Sequence, residues 1–231
     1  MALARRNNLR CDERGAAIME FSVISGTMVV MLFGLIEFAH LFSQWNAAVK
    51  AVQAGARIAA TSAPLWEELA DFNGGEQNTG NTSGIPGQAI SYTYNITCDE
   101  ASGCSGTENI KGNTGITYDA AAMDVLVFGR DPNTKSCQDG PGQYFGMCDI
   151  FKRIGTENVR VTYQHSGAGY ATRPGGLVPT IKVEIINLTF QFIFLDDIMG
   201  LFNQQDLNQV PIPGLLTTMI AEDMRAGAPT F

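Results

Sequence analysis

From Phe21 to His40 the chain reads F-S-V-I-S-G-T-M-V-V-M-L-F-G-L-I-E-F-A-H, a run of about 20 residues whose only charged member is Glu37. As a helix, such a run spans about 30 Å, the thickness of a bilayer's hydrocarbon core. A soluble fold would have to bury it on every side, which makes it the strongest constraint in the sequence. No break follows. Residues 43–63 are rich in helix formers, and the first proline is Pro64. One helix from about Ala17 to Ser62 is therefore expected, some 65–70 Å long at about 1.5 Å per residue.

Charge gives the run a direction. Arg5, Arg6, Arg10 and Arg14 precede it, with Asp12 and Glu13 as the only acids. The first fifteen residues carry a net +2 and the remainder −10, for a formal total of −8. Basic flanks stay in the cytoplasm, so the rest of the chain is expected on the far side of the membrane. A secretory signal peptide also begins with basic residues, but its apolar region is about 7–15 residues long and ends at a small-residue cleavage site. The longer, unbroken run favours a spanning helix over a cleaved signal or a buried core helix.

The chain after the helix is of another kind. Residues 73–87 (N-G-G-E-Q-N-T-G-N-T-S-G-I-P-G) are polar and glycine-rich, and 64–88 reads as a linker. Strand-like runs follow at Ala89–Thr97, Asn158–Gln164, Thr180–Phe194 and Leu215–Ile220, and the period-2 alternation from Ile181 to Phe194 fits a sheet with one covered face. Ala120–Phe128 and Gln143–Ile154 read as short helices, and Ser166–Leu177 as the loop joining two antiparallel strands. The expected fold class is α+β: a long membrane-spanning N-terminal helix, then a small antiparallel-sheet domain with short helices over 89–231.

Four of the five cysteines, Cys98, Cys104, Cys137 and Cys148, fall in that domain, while Cys11 lies on the basic side. An even count on the far side suits two disulfides in an oxidising compartment. Of the three possible pairings, Cys98–Cys104 and Cys137–Cys148 close the short glycine-rich loops. Their spacings lack a zinc knuckle, and no metal or other cofactor is expected.

Nothing in the sequence carries a recognisable catalytic site. The two histidines, His40 and His165, are far apart, and no G-x-S-x-G, H-E-x-x-H, P-loop or G-x-G-x-x-G occurs. Asp196-Asp197 reads as a helix cap, and Asp131-Pro132-Asn133 and Asp139-Gly140 as turns. Charged residues make up 16% of the chain and the pI is about 4.7, which gives no basic footprint for nucleic acid, and with those motifs missing no nucleotide partner is expected. The expectation is a protein that is not an enzyme. A membrane-anchored hydrolase with an unrecognised site in the cysteine-bearing loops is the alternative from that class.

The junction before the helix is Asp12-Glu13-Arg14-Gly15-Ala16-Ala17-Ile18-Met19-Glu20-Phe21. A carboxylate at the edge of a membrane segment is expensive to bury, although a helix N-terminus favours negative charge. A basic leader, a glycine, four small or apolar residues, a glutamate and an aromatic residue together resemble the signal sequences of type IV prepilins and pseudopilins. More specifically they resemble the TadE-like family of the Flp (tight adherence, Tad) pilus systems, as do Gly34-Leu35-Ile36-Glu37-Phe38 and Ala54-Gly55-Ala56-Arg57-Ile58-Ala59-Ala60. The close of the last strand, Leu215–Met224, on Arg225 is a weaker echo.

That resemblance implies cleavage after Gly15 by a prepilin peptidase, removal of the leader 1–15, and a mature chain starting at Ala16. It also implies an inner-membrane protein with a periplasmic domain, whose partners are other pilins, pseudopilins and Tad assembly proteins. Glu20, beside Phe21, would pair with the new amine of a neighbouring subunit, since poorly solvated charges interact strongly. Glycine is expected to interrupt the helix at the cut. Glu37, near the outer face, has three open readings: snorkelling, an assembly contact, or neither. Gly26, Gly34, Ala39, Ala47, Ala48, Ala51, Ala54, Gly55 and Ala59 would permit close helix–helix approach over 16–63. An uncleaved, single-pass periplasmic scaffold is the alternative.

Overall fold

The computed structural model of the chain describes residues 13–80, 83–112, 115–129, 136–137, 145–174, 176–196 and 210–221. Helix α1 runs from Glu13 to Thr61. It is long and apolar enough to cross a membrane. Gly15 lies inside it, so the helix is not interrupted there. Helical neighbours outweigh glycine's conformational freedom there. Two compact units divide the chain: Met1–Phe42 with Gln191–Asn208, and Ser43–Phe190 with Gln209–Phe231.

The second unit is α+β. Its strands are β1 (Tyr94–Asp99), β2 (Gly103–Glu108), β3 (Val159–His165), β4 (Pro179–Ile185) and β5 (Leu215–Ile220), with helices α2 (Ala120–Phe128) and α3 (Met147–Ile150). They form one sheet in the order β2-β1-β3-β4-β5, and every neighbouring pair is antiparallel. Strand alternation puts Tyr94, Ile96 and Cys98 on the covered face, with Val159, Val161 and Tyr163 of β3 and Ile181, Val183 and Ile185 of β4. The same core cluster takes in Ala48, Ala51, Val52, Ala56 and Ala59 of α1 and Met123, Leu126 and Val127 of α2. The Asp119 carboxylate caps α2 by accepting the amides of Ala121 (2.8 Å) and Ala122 (3.3 Å).

Several boundaries differ from the sequence reading. Residues 64–88 are not a free linker. Leu65, Trp66 and Leu69, the last in a 3₁₀ turn over Glu67–Ala70, are core residues, and the Leu65 amide donates to the buried Tyr163 hydroxyl at 2.9 Å. The polar stretch after them is tied down as well, by Thr79 N to Asn109 O (2.7 Å) and Gly87 N to Ala171 O (3.0 Å). Strand β1 starts five residues later than the run from Ala89, and its partner β2 was not anticipated. The second helix within 143–154 is only the turn Met147–Ile150.

Strand β4 stops at Ile185 rather than Phe194. Asn187 takes a positive φ of 55°, and the Asn158 side chain clamps the exit by donating to the carbonyls of Ile186 (3.3 Å) and Asn187 (3.2 Å). The segment Gln191–Asn208 belongs to the first unit, so it interrupts the domain expected over 89–231. The leader up to Asp12, the turns at 131–133 and 139–140, Asp197 and Arg225 lie outside the described residues.

Candidate functional site

Residues 15–42 of α1 carry the site that the sequence marks out, and its physical character is unrelieved exposure of apolar groups. Ile18, Met19, Phe21, Val23, Ile24, Met28, Val30, Met31, Leu35 and Phe38 are each more than 60% exposed. They point all round the helix, where a soluble helix would show an apolar stripe on one side only. Gly15, Gly26 and Gly34 have open space where a Cβ would stand.

At the N-terminal end Ala16, Glu20 and Phe21 are all exposed, and Phe21 is 73% so. Among the described residues Glu20 has no hydrogen-bond or ion-pair partner. At about 1.5 Å per residue, Glu20 and Glu37 stand roughly 25 Å apart along the axis, near opposite ends of the apolar stretch.

Glu37 is in the opposite state from Glu20. It is 3% exposed. Its Oε1 accepts the amide of Ile193 at 2.7 Å and its Oε2 that of Phe194 at 2.9 Å. The Phe194 ring stands 5.0 Å from the ring of Phe33, one helical turn below Glu37. Both carboxylate oxygens are therefore engaged by the chain's own backbone, an arrangement that the sequence reading did not specify. Asp196, expected as a helix cap, follows directly on this segment.

The small residues divide into two groups. Ala48, Ala51 and Ala59 are buried in the core of the second unit, and a Cβ on Gly55 would stand 2.4 Å from the Met147 sulfur. These serve packing inside the chain and are not open to a neighbouring helix. Gly26, Gly34 and Ala39 are exposed.

Disulfides join Cys98 to Cys104 across the β1–β2 pair and Cys137 to Cys148. The first staples a turn that Asp99 also holds. The Asp99 carboxylate accepts the Ser102 amide at 2.7 Å and pairs with Arg160 at 3.2 Å. Burial works against the charge on Asp99, but the Ser102 hydrogen bonds and the Arg160 guanidinium outweigh it and hold its pKa below the usual value. Nearby, burial and the carboxylates of Glu100 and Asp124 push the Tyr118 hydroxyl up to about 12. Glu68 is likewise held low despite desolvation, by the hydroxyl and amide of Thr117. Burial lowers the pKa of His165, whose ring meets Tyr94 edge-on at 5.9 Å. Every one of these groups has a structural partner. No cluster of three or more His, Cys, Asp or Glu fit for a metal occurs among the described residues.

These features define a class: a bitopic-length apolar helix joined to a small, disulfide-stapled α+β unit. Residues 15–57 match the model of the TadE-like protein family. The TadE-like resemblance read from the N-terminal motif therefore holds over that stretch, which opens at Gly15 and covers Glu20, Glu37 and Gly55. It implies a membrane-associated component of a Tad pilus system. No curated protein and no solved structure matches the chain.

Proposed function

We propose that this chain is a pseudopilin-like subunit that initiates or builds a Tad pilus, processed after Gly15 by a prepilin peptidase. Residues 15–42 anchor it in the inner membrane with the N-terminus in the cytoplasm and the disulfide-stapled unit in the periplasm. It has no catalytic role. Its chemistry is lateral docking of helices, with the Glu20 carboxylate meeting the new Ala16 amine of a neighbour and fixing the register of docking. The observation that carries this reading is the exposed Glu20, five residues beyond Gly15 and without a partner among the described residues, within a segment that matches the TadE-like family from its first glycine. A carboxylate left without a partner at a membrane boundary needs a compensating charge, and the cut supplies one at the right distance along the chain.

One observation favours a second reading, an uncleaved single-pass scaffold: α1 continues through Gly15, so a peptidase would have to unwind its first turn. Intact mass and N-terminal sequencing of protein from the native membrane decide between the two. A wild-type chain starting at Ala16, beside a full-length Gly15→Leu variant, supports the pseudopilin. Both chains starting at Met1 or Ala2 would leave the scaffold. No atom lies within 4 Å of a Cβ at Gly15, so the variant tests recognition rather than folding.

A further inference from the structure

Residues 193–195 are an isoleucine, a phenylalanine and a leucine in sequence, and all three are solvent-facing: Ile193 is 43% exposed, Phe194 36% and Leu195 39%. They belong to the same compact unit as the apolar half of α1. We propose that Ile193–Leu195 forms a second membrane contact, seated at the acyl–headgroup boundary of the outer leaflet and held against α1 by Glu37. This rests on α1 being the membrane anchor.

Depth is the first argument. If the hydrocarbon run ends near His40, Glu37 lies about one helical turn, roughly 5 Å, inside it. A carboxylate at that level needs a reason to be there, and the structure supplies it. The segment bonded to Glu37 is not part of α1, and irregular backbone is tolerated at lipid depth only where its amides find acceptors. The Ile193 and Phe194 amides find theirs in the two oxygens of Glu37, at 2.7 and 2.9 Å. Each partner thus removes the other's cost of leaving water: the carboxylate gains two donors and the segment loses two orphan amides.

Continuity is the second argument. With its amides satisfied, the segment leaves its side chains exposed, and the Phe194 ring beside Phe33 joins them to the exposed apolar surface of α1 rather than leaving an isolated patch. Gln191 and Asp196 bracket the triplet with polar groups, which sets its level at the boundary and not at the bilayer centre. The occupant to which this surface commits is lipid.

The test uses the full chain in vesicles of phosphatidylethanolamine and phosphatidylglycerol, in a Cys11→Ser background. Nitroxide labels are placed singly at Leu195→Cys, at Val29→Cys in the apolar half of α1, and at Glu67→Cys on the exposed surface of the other unit. Power saturation then compares contact with oxygen, which concentrates in lipid, and with a water-soluble nickel chelate. The expected result is an oxygen-to-nickel ratio several-fold higher at 195 than at 67 and close to that at 29. Glu37→Ala should return the 195 label to the aqueous value while position 29 stays in lipid.

A lipid-like 29 with an aqueous 195 in the unaltered background overturns the proposal and leaves the membrane anchor standing. An aqueous 29 overturns the anchor itself. A label at 195 shielded from both reagents means that a second copy covers the segment, which also overturns lipid as the occupant. A 195 label that stays in lipid after Glu37→Ala overturns the role given to Glu37.

Discussion

The two halves of α1 are both apolar and both helical, yet one is exposed and the other is buried in protein. From Ile18 to Phe42 the helix carries large side chains exposed on all sides. From Ala48 to Ala60 it carries small ones, and Ala48, Ala51, Val52, Ala56 and Ala59 are almost wholly buried against protein. Size, more than hydrophobicity, separates them. Lipid tails fill the space around Phe, Met and Leu whatever their shape, so bulk is free to vary. A protein core is packed to fixed volume, and a helix that must approach it closely needs alanine and glycine at its seam. Glycine shows the contrast at single-residue scale: Gly34 faces open space, whereas Gly55 leaves room for the Met147 thioether.

Substitutions that treat the halves alike should therefore give unlike results. The largest effect belongs to Ala51→Asp, which puts an unpaired carboxylate at a position with no exposure. Stability of the second unit, followed by urea titration of the fluorescence of Trp45 and Trp66 in detergent, should fall by about 3–5 kcal/mol. Gly55→Val should cost about 1–3 kcal/mol by the same assay, because Met147 is itself fully buried and must shift. Gly34→Val should change it by less than about 0.5 kcal/mol. Equal losses at 34 and 55 would erase the distinction between the halves.

A loss smaller than that at Ala51, about 1–2 kcal/mol, is expected for Tyr163→Phe. It strands the Leu65 amide that the hydroxyl accepts just beyond the end of α1. The smallest effect is pH-dependent. Burial holds His165 below its ordinary pKa, so the unfolded chain binds the proton more readily than the folded one. Stability of the second unit is then unaffected above about pH 6.5 and declines as the pH falls from there toward the lower folded-state value. His165→Gln should remove that part of the slope in a series of thermal melts across this range.

Much of this architecture was legible because it is local. The apolar run and its alanine-rich continuation announce α1. The run A-A-A-M-D-V-L-V-F marks α2, alternation marks β3 and the first half of the run that becomes β4, and an apolar, β-branched run marks β5. Strand β2 was not legible, since G-C-S-G-T-E has no apolar alternation, and its conformation comes from pairing with β1 and from the Cys98–Cys104 bridge. Leu65, Trp66 and Leu69 were hidden by the polar stretch that follows them. Glycine's general freedom overstated the break at Gly15, where helical neighbours prevail.

At the site, Glu20 could be read from its place beside a basic leader and an apolar helix. The state of Glu37 could not, because its donors lie 156 and 157 residues away and are backbone amides, which carry no residue signature. The exit at Asn187 that sends the chain toward them was equally silent, since the apolar alternation runs on past it to Phe194.

The most direct test of one helix in two solvents is a map of lipid contact along α1. The full chain in phospholipid vesicles is photolysed with a diazirine reagent that partitions into acyl chains, and modified residues are located by mass spectrometry. Modification on all faces between Ile18 and Phe42, with none at Ala48, Ala51, Val52, Gly55, Ala56 or Ala59, is the predicted result. Labelling that continues into that alanine seam, or that is absent between Ile18 and Phe42, would contradict the account.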